Sequence, residues 1–268
     1  MMFVEVDQTH VEYLAEGQGR PLVLVHGTGG SATANWDSLV GALRKERRVV
    51  RPNYSGSGQT VDDGRRLTTE FLAQQVTAAA LAAGGSSFDL VGFSLGVGVA
   101  AHIAAREPER VRSLVLINGF ACAEDTRLRF QFEHWRDLAT RDTEALARLG
   151  LLTEFCPQAL SLFTREQLEA FVAETARTTD PSGLVRQIQL DLDLDIRAEL
   201  ADIRSRTLVI GSEQDCMVPA EHARAIARAI PGARFAMLPG GHLMPMESPD
   251  ALARLIEGFI DGDAELKP

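Results

Sequence analysis

Cysteine is scarce in this chain, basic charge is outweighed and long apolar runs are missing, and each shortage closes off a class of protein. The 268 residues hold three cysteines, Cys122, Cys156 and Cys216, an odd number with wide spacing and no metal-type pairing. That pattern argues against a disulfide framework and for a reducing compartment, so a cytoplasmic location is expected. Lys and Arg number 27 against 37 Asp and Glu, for a formal net charge of -10. Nucleic acids and anionic membranes both call for a basic patch, so neither is an expected partner. No uninterrupted apolar run approaches the roughly 18 residues that suggest a membrane span. The opening MMFVEVDQTH has neither the basic n-region nor the apolar h-region of a signal peptide. Internal repeats and low-complexity tracts are absent as well. What is present is 45% hydrophobic content, ample for a large core. One α/β domain with room for an insertion fits this length.

The hydrophobic pattern alternates between two periods. FVEVD and HVEYLAEG read as an antiparallel pair at a sheet edge, and PLVLVHG (21–27) as a strand covered on both faces. A glycine-rich turn and a helix over about 33–44 follow, then a strand at 47–53, a turn-rich loop and the helical TTEFLAQQVTAAALAA. Strands at 88–93 and 110–119 flank the helical LGVGVAAHIAAREPER. From 121 to about 200 no convincing strand appears; three or four amphipathic helical patterns fill the interval. RTLVIGSE and ARFAMLPG then resume the strands, with helices AEHARAIARAI and SPDALARLIEGFI after them and a tail, DGDAELKP, expected to fray. Strands spaced by helices imply parallel βαβ units, with core segments 1–120 and 201–268 and a helical lid at 121–200. The acidic run DLDLDIRAELAD (191–202) reads as a solvated helix end or linker, and no metal site is expected.

One apolar stretch, LVGFSLGVGVA (90–100), raises the question of function. Gly92-Phe93-Ser94-Leu95-Gly96 fits G-x-S-x-G between a strand and a helix. Such a turn holds its serine in a strained backbone conformation above the carboxyl end of the sheet, and the glycines let strand and helix approach closely. It also aims the Leu95 N–H, at a helix N-terminus, where an oxyanion would form. A serine hydroxyl needs a base. PGGHLMPMESP supplies His242 on a loop between the last strand and the last helix. The imidazole needs an acceptor to fix its tautomer. GSEQDCMVP offers Asp215, with Glu213 as the competing carboxylate; Asp215 lies further past the strand end and four residues before Pro219. A second oxyanion donor is expected from VHGTGGS (25–31), where the flanking glycines let the Thr28 N–H approach a substrate carbonyl. His26 belongs to the turn that shapes this hole, so hydrogen bonding rather than proton transfer is its expected role. The loop lacks both G-K-[ST] and G-x-G-x-x-G and is no phosphate loop.

His26-Gly27-Thr28-Gly29-Gly30, the elbow Gly92 to Gly96, Asp215 with Pro219, and Gly241-His242 with Glu247 and Pro249 together resemble the α/β-hydrolase superfamily, in particular its lid-bearing esterases and lactonases of the 3-oxoadipate enol-lactonase type. The order Ser, Asp, His is that superfamily's. The resemblance implies a mostly parallel eight-stranded sheet with helices on both faces and an inserted helical lid. It also implies a Ser94–Asp215–His242 triad, an oxyanion hole from Thr28 and Leu95, a pocket between sheet and lid, and no cofactor. Two positions depart from the pattern: Asn53-Tyr54 stands where many relatives begin with an aspartate, and Gly96-Val97 where many have two glycines.

The expected reaction is acyl transfer from a small ester or lactone to water. Carbon–carbon bond hydrolysis, thioester cleavage, acyl transfer to another acceptor, a cofactor-free lyase or cyclase, and a non-catalytic binding protein are the alternatives. The partner is a small-molecule substrate, and the protein a monomer or homodimer. Trp135 and Phe132 are the expected pocket walls, Arg127, Arg129 and Arg136 are read as solvated lid residues, and Cys216 as a small packing residue.

Overall fold

In the computed structural model residues 1–262 are described, and the tail read as frayed lies outside them from residue 263 onward. Eight strands form one sheet: β1 Met2–Val6, β2 Thr9–Glu16, β3 Arg20–Val25, β4 Arg47–Asn53, β5 Phe88–Phe93, β6 Val111–Ile117, β7 Arg206–Ser212 and β8 Arg234–Leu238. Their order is β1-β2-β4-β3-β5-β6-β7-β8. β2 runs antiparallel to β1 and β4, and all other pairings are parallel. The edge hairpin turns at Asp7 and Gln8 with φ of 42° and 64°, the paired positive values that a type I′ turn needs.

Strand periodicity explains why both faces are covered. Leu22 and Leu24 of β3 join one buried cluster, with Leu39 of helix α1 (Asp37–Leu43) and Ile256 of α11 (Pro249–Asp261). Val23 and Val25 point the other way, into a cluster with Val76 of α2 (Thr69–Ala82), Ile103 of α3 (Leu95–Arg106) and Ile226 of α9 (Ala220–Ala229). Successive side chains of a strand face opposite sides, so a continuous apolar run must be buried on both. Helix α1 starts at Asp37 rather than near 33, because Ser31 Oγ accepts the Ala34 N–H at 3.0 Å and draws the preceding residues into turns.

Between β6 and β7 the chain forms α4 Thr126–Arg141, α5 Thr143–Glu154, α6 Pro157–Leu160, α7 Arg165–Thr178 and α8 Pro181–Asp193. The four-residue α6 is too short to show as a period. Asp125, Asp142, Thr164 and Asp180 cap α4, α5, α7 and α8 by accepting backbone N–H groups. The ends of this segment meet where the Ile196 N–H donates to Ala121 O at 2.9 Å. None of the helices among the described residues is long and apolar enough to cross a membrane. The remaining helix, α10 (Met244–Glu247), follows β8 and carries the loop of His242 back toward α11.

Candidate active site

The loops that follow β3, β4, β5, β7 and β8 at their carboxyl ends converge on one cavity of about 630 Å³, in the usual ligand-sized range. At its floor, Ser94 joins β5 to α3 with φ 53° and ψ -120°, a conformation that costs a non-glycine residue about 1–3 kcal/mol. The turn is possible because its neighbours lack side chains. A Cβ on Gly92 would lie 2.3 Å from Gly96 O, and one on Gly96 would lie 2.4 Å from Val25 O. Val97, where relatives have a second glycine, is accommodated by a glycine elsewhere: a Cβ on Gly119 would stand 2.4 Å from the Val97 side chain.

Asp215 sits past the end of β7. Its Oδ1 accepts the N–H groups of Met217 and Val218 at 2.9 and 2.7 Å, and its Oδ2 faces His242 Nδ1 at 2.7 Å. The competing carboxylate, Glu213, is exposed. The imidazole is buried, which by itself lowers its basicity. The Asp215 charge and hydrogen bond, with Glu154 and Asp191 further off, outweigh burial and raise the pKa above the ordinary histidine value. With Nδ1 held by Asp215, Nε2 is the ring nitrogen left for chemistry. Ser94 and His242 line the same cavity, although Ser94 Oγ makes no hydrogen bond to the ring among the described residues. Such contacts are commonly loose in free enzymes and tighten with substrate.

The histidine loop is fixed from below and from the side. Asn118, at the end of β6 with φ 48°, donates its Nδ2 to His242 O at 2.9 Å and to Ser212 Oγ at 2.8 Å. Glu247 accepts the N–H groups of Gly241 and Cys156, each at 3.0 Å. Asparagine tolerates the left-handed region that its position requires. Asn118→Ala is therefore expected to strain the turn, strand the His242 carbonyl and cost about 1–3 kcal/mol of unfolding free energy, measured by urea titration.

The loop after β3 carries the second candidate donor. Gly27 N–H is taken by Asn35 Oδ1 at 3.1 Å, and Gly29 N–H by Gln187 Oε1 at 2.9 Å. The Thr28 N–H, like that of Leu95, has no intramolecular acceptor among the described residues. Thr28 lines the cavity, whereas the Leu95 side chain is buried in the core, leaving only its backbone beside Ser94. His26 is fully buried, bonded through Nδ1 to Gly27 O at 2.8 Å and stacked on Tyr54 with ring centroids 3.9 Å apart. Burial, partly offset by that bond, lowers its pKa to about 4, so it stays neutral. The departure at Asn53-Tyr54 takes its meaning here. Tyr54 OH donates to His26 O at 2.9 Å, and Asn53 Oδ1 accepts the Ala32 N–H at 2.6 Å. The carboxylate at this turn comes instead from Glu12 of β2, 2.7 Å from Asn53 Nδ2.

Helix α8 closes over this loop. Gln187 also donates to Ser57 Oγ at 2.9 Å, and Asp191 Oδ2 accepts the Thr28 hydroxyl at 2.6 Å. The run containing Asp191 is thus no solvated linker throughout. Asp193 and Asp195 meet Arg66 and Arg197 near the surface, but Asp191 is fully buried, because positions two apart on a helix point in different directions. Burial pushes its pKa to about 8, against the opposing effects of the Thr28 hydroxyl and the His242 charge. Between about pH 4 and pH 8 the unfolded chain ionises this group while the folded one keeps it protonated, so stability falls as pH rises through that window and levels off above it. Asp191→Asn removes this dependence. The expected result is that wild type loses more unfolding free energy than the variant between pH 5 and pH 8 in paired urea titrations.

The cavity walls differ in part from expectation. Trp135 lines the cavity with Phe155, Phe171 and Leu184. Phe132 does not: it is fully buried one layer back, packed on Phe120 and Trp135 at centroid distances of 5.3 and 6.1 Å. Arg127 bonds the Cys216 and Met217 carbonyls beside Asp215, and so braces the acid loop rather than facing solvent alone. Arg129 pairs with Glu133, and Arg136 with Gln189. Cys216 is exposed, not packed, since its neighbours Asp215 and Met217 take the inward positions. Among the described residues no group of three or more His, Cys, Asp or Glu could hold a metal ion.

Asn118, Gln187, Asp191 and Glu154 entered this site unannounced. Only Asn118 carried a signal, as a polar residue ending an apolar strand at the carboxyl edge of a parallel sheet. Comparisons with known proteins identify the family and the fold. The family model described as alpha/beta hydrolase fold matches residues 20–249. A pyrrolizixenacetamide deacetylase of Xenorhabdus hominickii is 42% identical, over 96% of this chain and 97% of that protein. A 2-hydroxymuconate semialdehyde hydrolase of Pseudomonas putida is 28% identical, over 91% of this chain and 88% of its own length. Among solved structures, the enol-lactonase of Burkholderia xenovorans LB400 superposes with a TM-score of 0.86 at 24% identity, covering 97% of this chain and 100% of that one.

Proposed function

Because this chain belongs to the α/β-hydrolase family, we propose that it is a serine hydrolase that cleaves a small acyl substrate, an ester or lactone, through an acyl-enzyme. One observation carries this reading: the Asp215–His242 pair, closed at 2.7 Å, opens on the same cavity as a serine held in a strained turn. Ser94 Oγ attacks the carbonyl carbon as His242 Nε2 takes its proton. Asp215 holds the ring in the tautomer that leaves Nε2 basic and stabilises the imidazolium. The N–H groups of Thr28 and Leu95 receive the oxyanion, an arrangement in which each donor is worth about 10²–10³ in rate. His242 then protonates the leaving group, activates water and regenerates the serine as the acid departs. In this reading the helices of 121–200 act as a lid, and Trp135 forms part of the acyl or leaving-group wall.

A second reading extends the scissile bond to an N-acyl amide. It is favoured by the 42% identity to a protein named as a deacetylase, and the same residues would serve, with His242 protonating a departing amine. Labelling by a fluorophosphonate, located by peptide mass at Ser94, tests both readings. Turnover of p-nitrophenyl esters, lactones and acetanilides measured side by side separates them. An unlabelled Ser94 with no turnover of any of the three would sink the serine-hydrolase assignment.

A further inference from the structure

Glu154, the last residue of α5, faces the cavity without a partner. The other carboxylates and the arginine of the wall each have a partner. Glu174 pairs with Arg177 at 2.6 Å, Asp180 accepts the Ser182 and Gly183 N–H groups at 3.0 and 2.9 Å, and Arg186 is held by Asp62 at 3.0 Å. Among the described residues the Glu154 carboxylate has neither a hydrogen bond nor an ion pair.

Its place is nevertheless fixed. Glu154 O accepts the Leu243 N–H at 3.0 Å, tying the end of α5 to the residue after His242. The side chain folds back along its own helix over Gly150, where a Cβ would stand 3.0 Å from Glu154 Oε1. Glycine inside a helix is destabilising relative to alanine, and here it leaves room for a carboxylate. Burial raises the Glu154 pKa, with the His242 charge opposing and Asp215 adding to the effect, which places the group within electrostatic range of that pair.

Half-buried on the cavity wall, this carboxylate presents an acceptor that a bound ligand can fill with a donor. A simple ester or lactone has no donor to give. We propose that Glu154 is a specificity-determining residue that accepts a hydrogen bond from an N–H group near the scissile carbonyl, so that the cavity selects nitrogen-bearing acyl substrates. This rests on the serine-hydrolase reading above. The N–H can belong to a secondary amide or to a protonated amine.

Two matched pairs distinguish these sources: acetanilide against N-methylacetanilide, and dimethylaminoethyl butyrate, protonated at neutral pH, against dimethylbutyl butyrate. In at least one pair, wild type is expected to favour the N–H member by about 10–100-fold in kcat/KM. Preference in the anilide pair identifies the amide, and preference in the ester pair the ammonium. Glu154→Leu is expected to abolish the preference and Glu154→Gln, which keeps the shape and an uncharged acceptor, to reduce it. Fluorophosphonate labelling of Ser94 is followed in parallel. Labelling without preference in either pair, or a preference undiminished in the variants, overturns the role of Glu154 alone. Absence of labelling and turnover overturns the underlying reading as well.

Discussion

Replacing Ser94 by alanine is expected to lower kcat/KM on any acyl substrate by about 10⁴–10⁶-fold, while the protein stays folded. The hydroxyl is the only group in the proposed scheme that forms a bond to the substrate. Once it is gone, what remains is the pull of the Thr28 and Leu95 N–H groups on a carbonyl that water attacks unaided. The backbone gives this experiment an internal control. Ser94 is held at φ 53°, and alanine inherits that conformation with its steric cost, whereas glycine adopts it freely. Ser94→Gly should be as inactive as Ser94→Ala yet more stable by about 1 kcal/mol, read from urea unfolding of the two variants. Equal stability would show that the turn is not strained; retained turnover in both would remove the nucleophile from the scheme and point to His242 acting as base in a lyase or cyclase.

Exchanging Asp215 for asparagine should be nearly as damaging, at about 10³–10⁴-fold in kcat, although the exchange alters hardly any atom positions. The asparagine oxygen can still accept the Met217 and Val218 N–H groups, as Asp215 Oδ1 does at 2.9 and 2.7 Å. The amide NH₂ is then turned toward the ring. His242 Nδ1 must accept rather than donate, the ring proton moves to Nε2, and the nitrogen that should take the serine proton is already occupied. The imidazolium also loses its counter-charge. A kcat that falls steeply while KM stays within a few-fold is the expected pattern, since only transition-state interactions are removed. A fall of less than about tenfold would argue that another carboxylate, Glu154 foremost, holds the ring.

Sheet and elbow were legible in the chain because their causes are local. Continuous apolar runs mark β3, β5 and β6 as doubly covered, and Gly92 and Gly96 announce a backbone approach that no side chain permits. Asp215 could be preferred to Glu213 from its distance past β7 and its place four residues before Pro219. What could not be read was anything that depends on how α4–α8 lie over the sheet. Trp135 and Phe132, three apart on α4, share a helix face, and nothing in the sequence says which of them reaches the cavity. Asp191 sits in an acidic run that looks solvated, and its burial arises from packing against Thr28, 163 residues away. Glu154 is one acidic residue among many until the Leu243 contact sets it beside His242. Tyr54 and Asn53 read as a departure from the family pattern, and only the fold shows that both brace the loop after β3, through His26 O and the Ala32 N–H.

The grip of α8 on the Thr28 loop bears on how such enzymes can diverge. Gln187 reaches from the cover to the Gly29 N–H and Asp191 to the Thr28 hydroxyl, on the loop proposed to receive the oxyanion, so the two halves of the molecule are not independent modules. Exchanging the cover for that of a relative would carry away the props of the Thr28 loop along with the old substrate preference. New specificities in this lineage should therefore arise by point changes within the native helices, with the pair at 187 and 191 travelling together with residue 28.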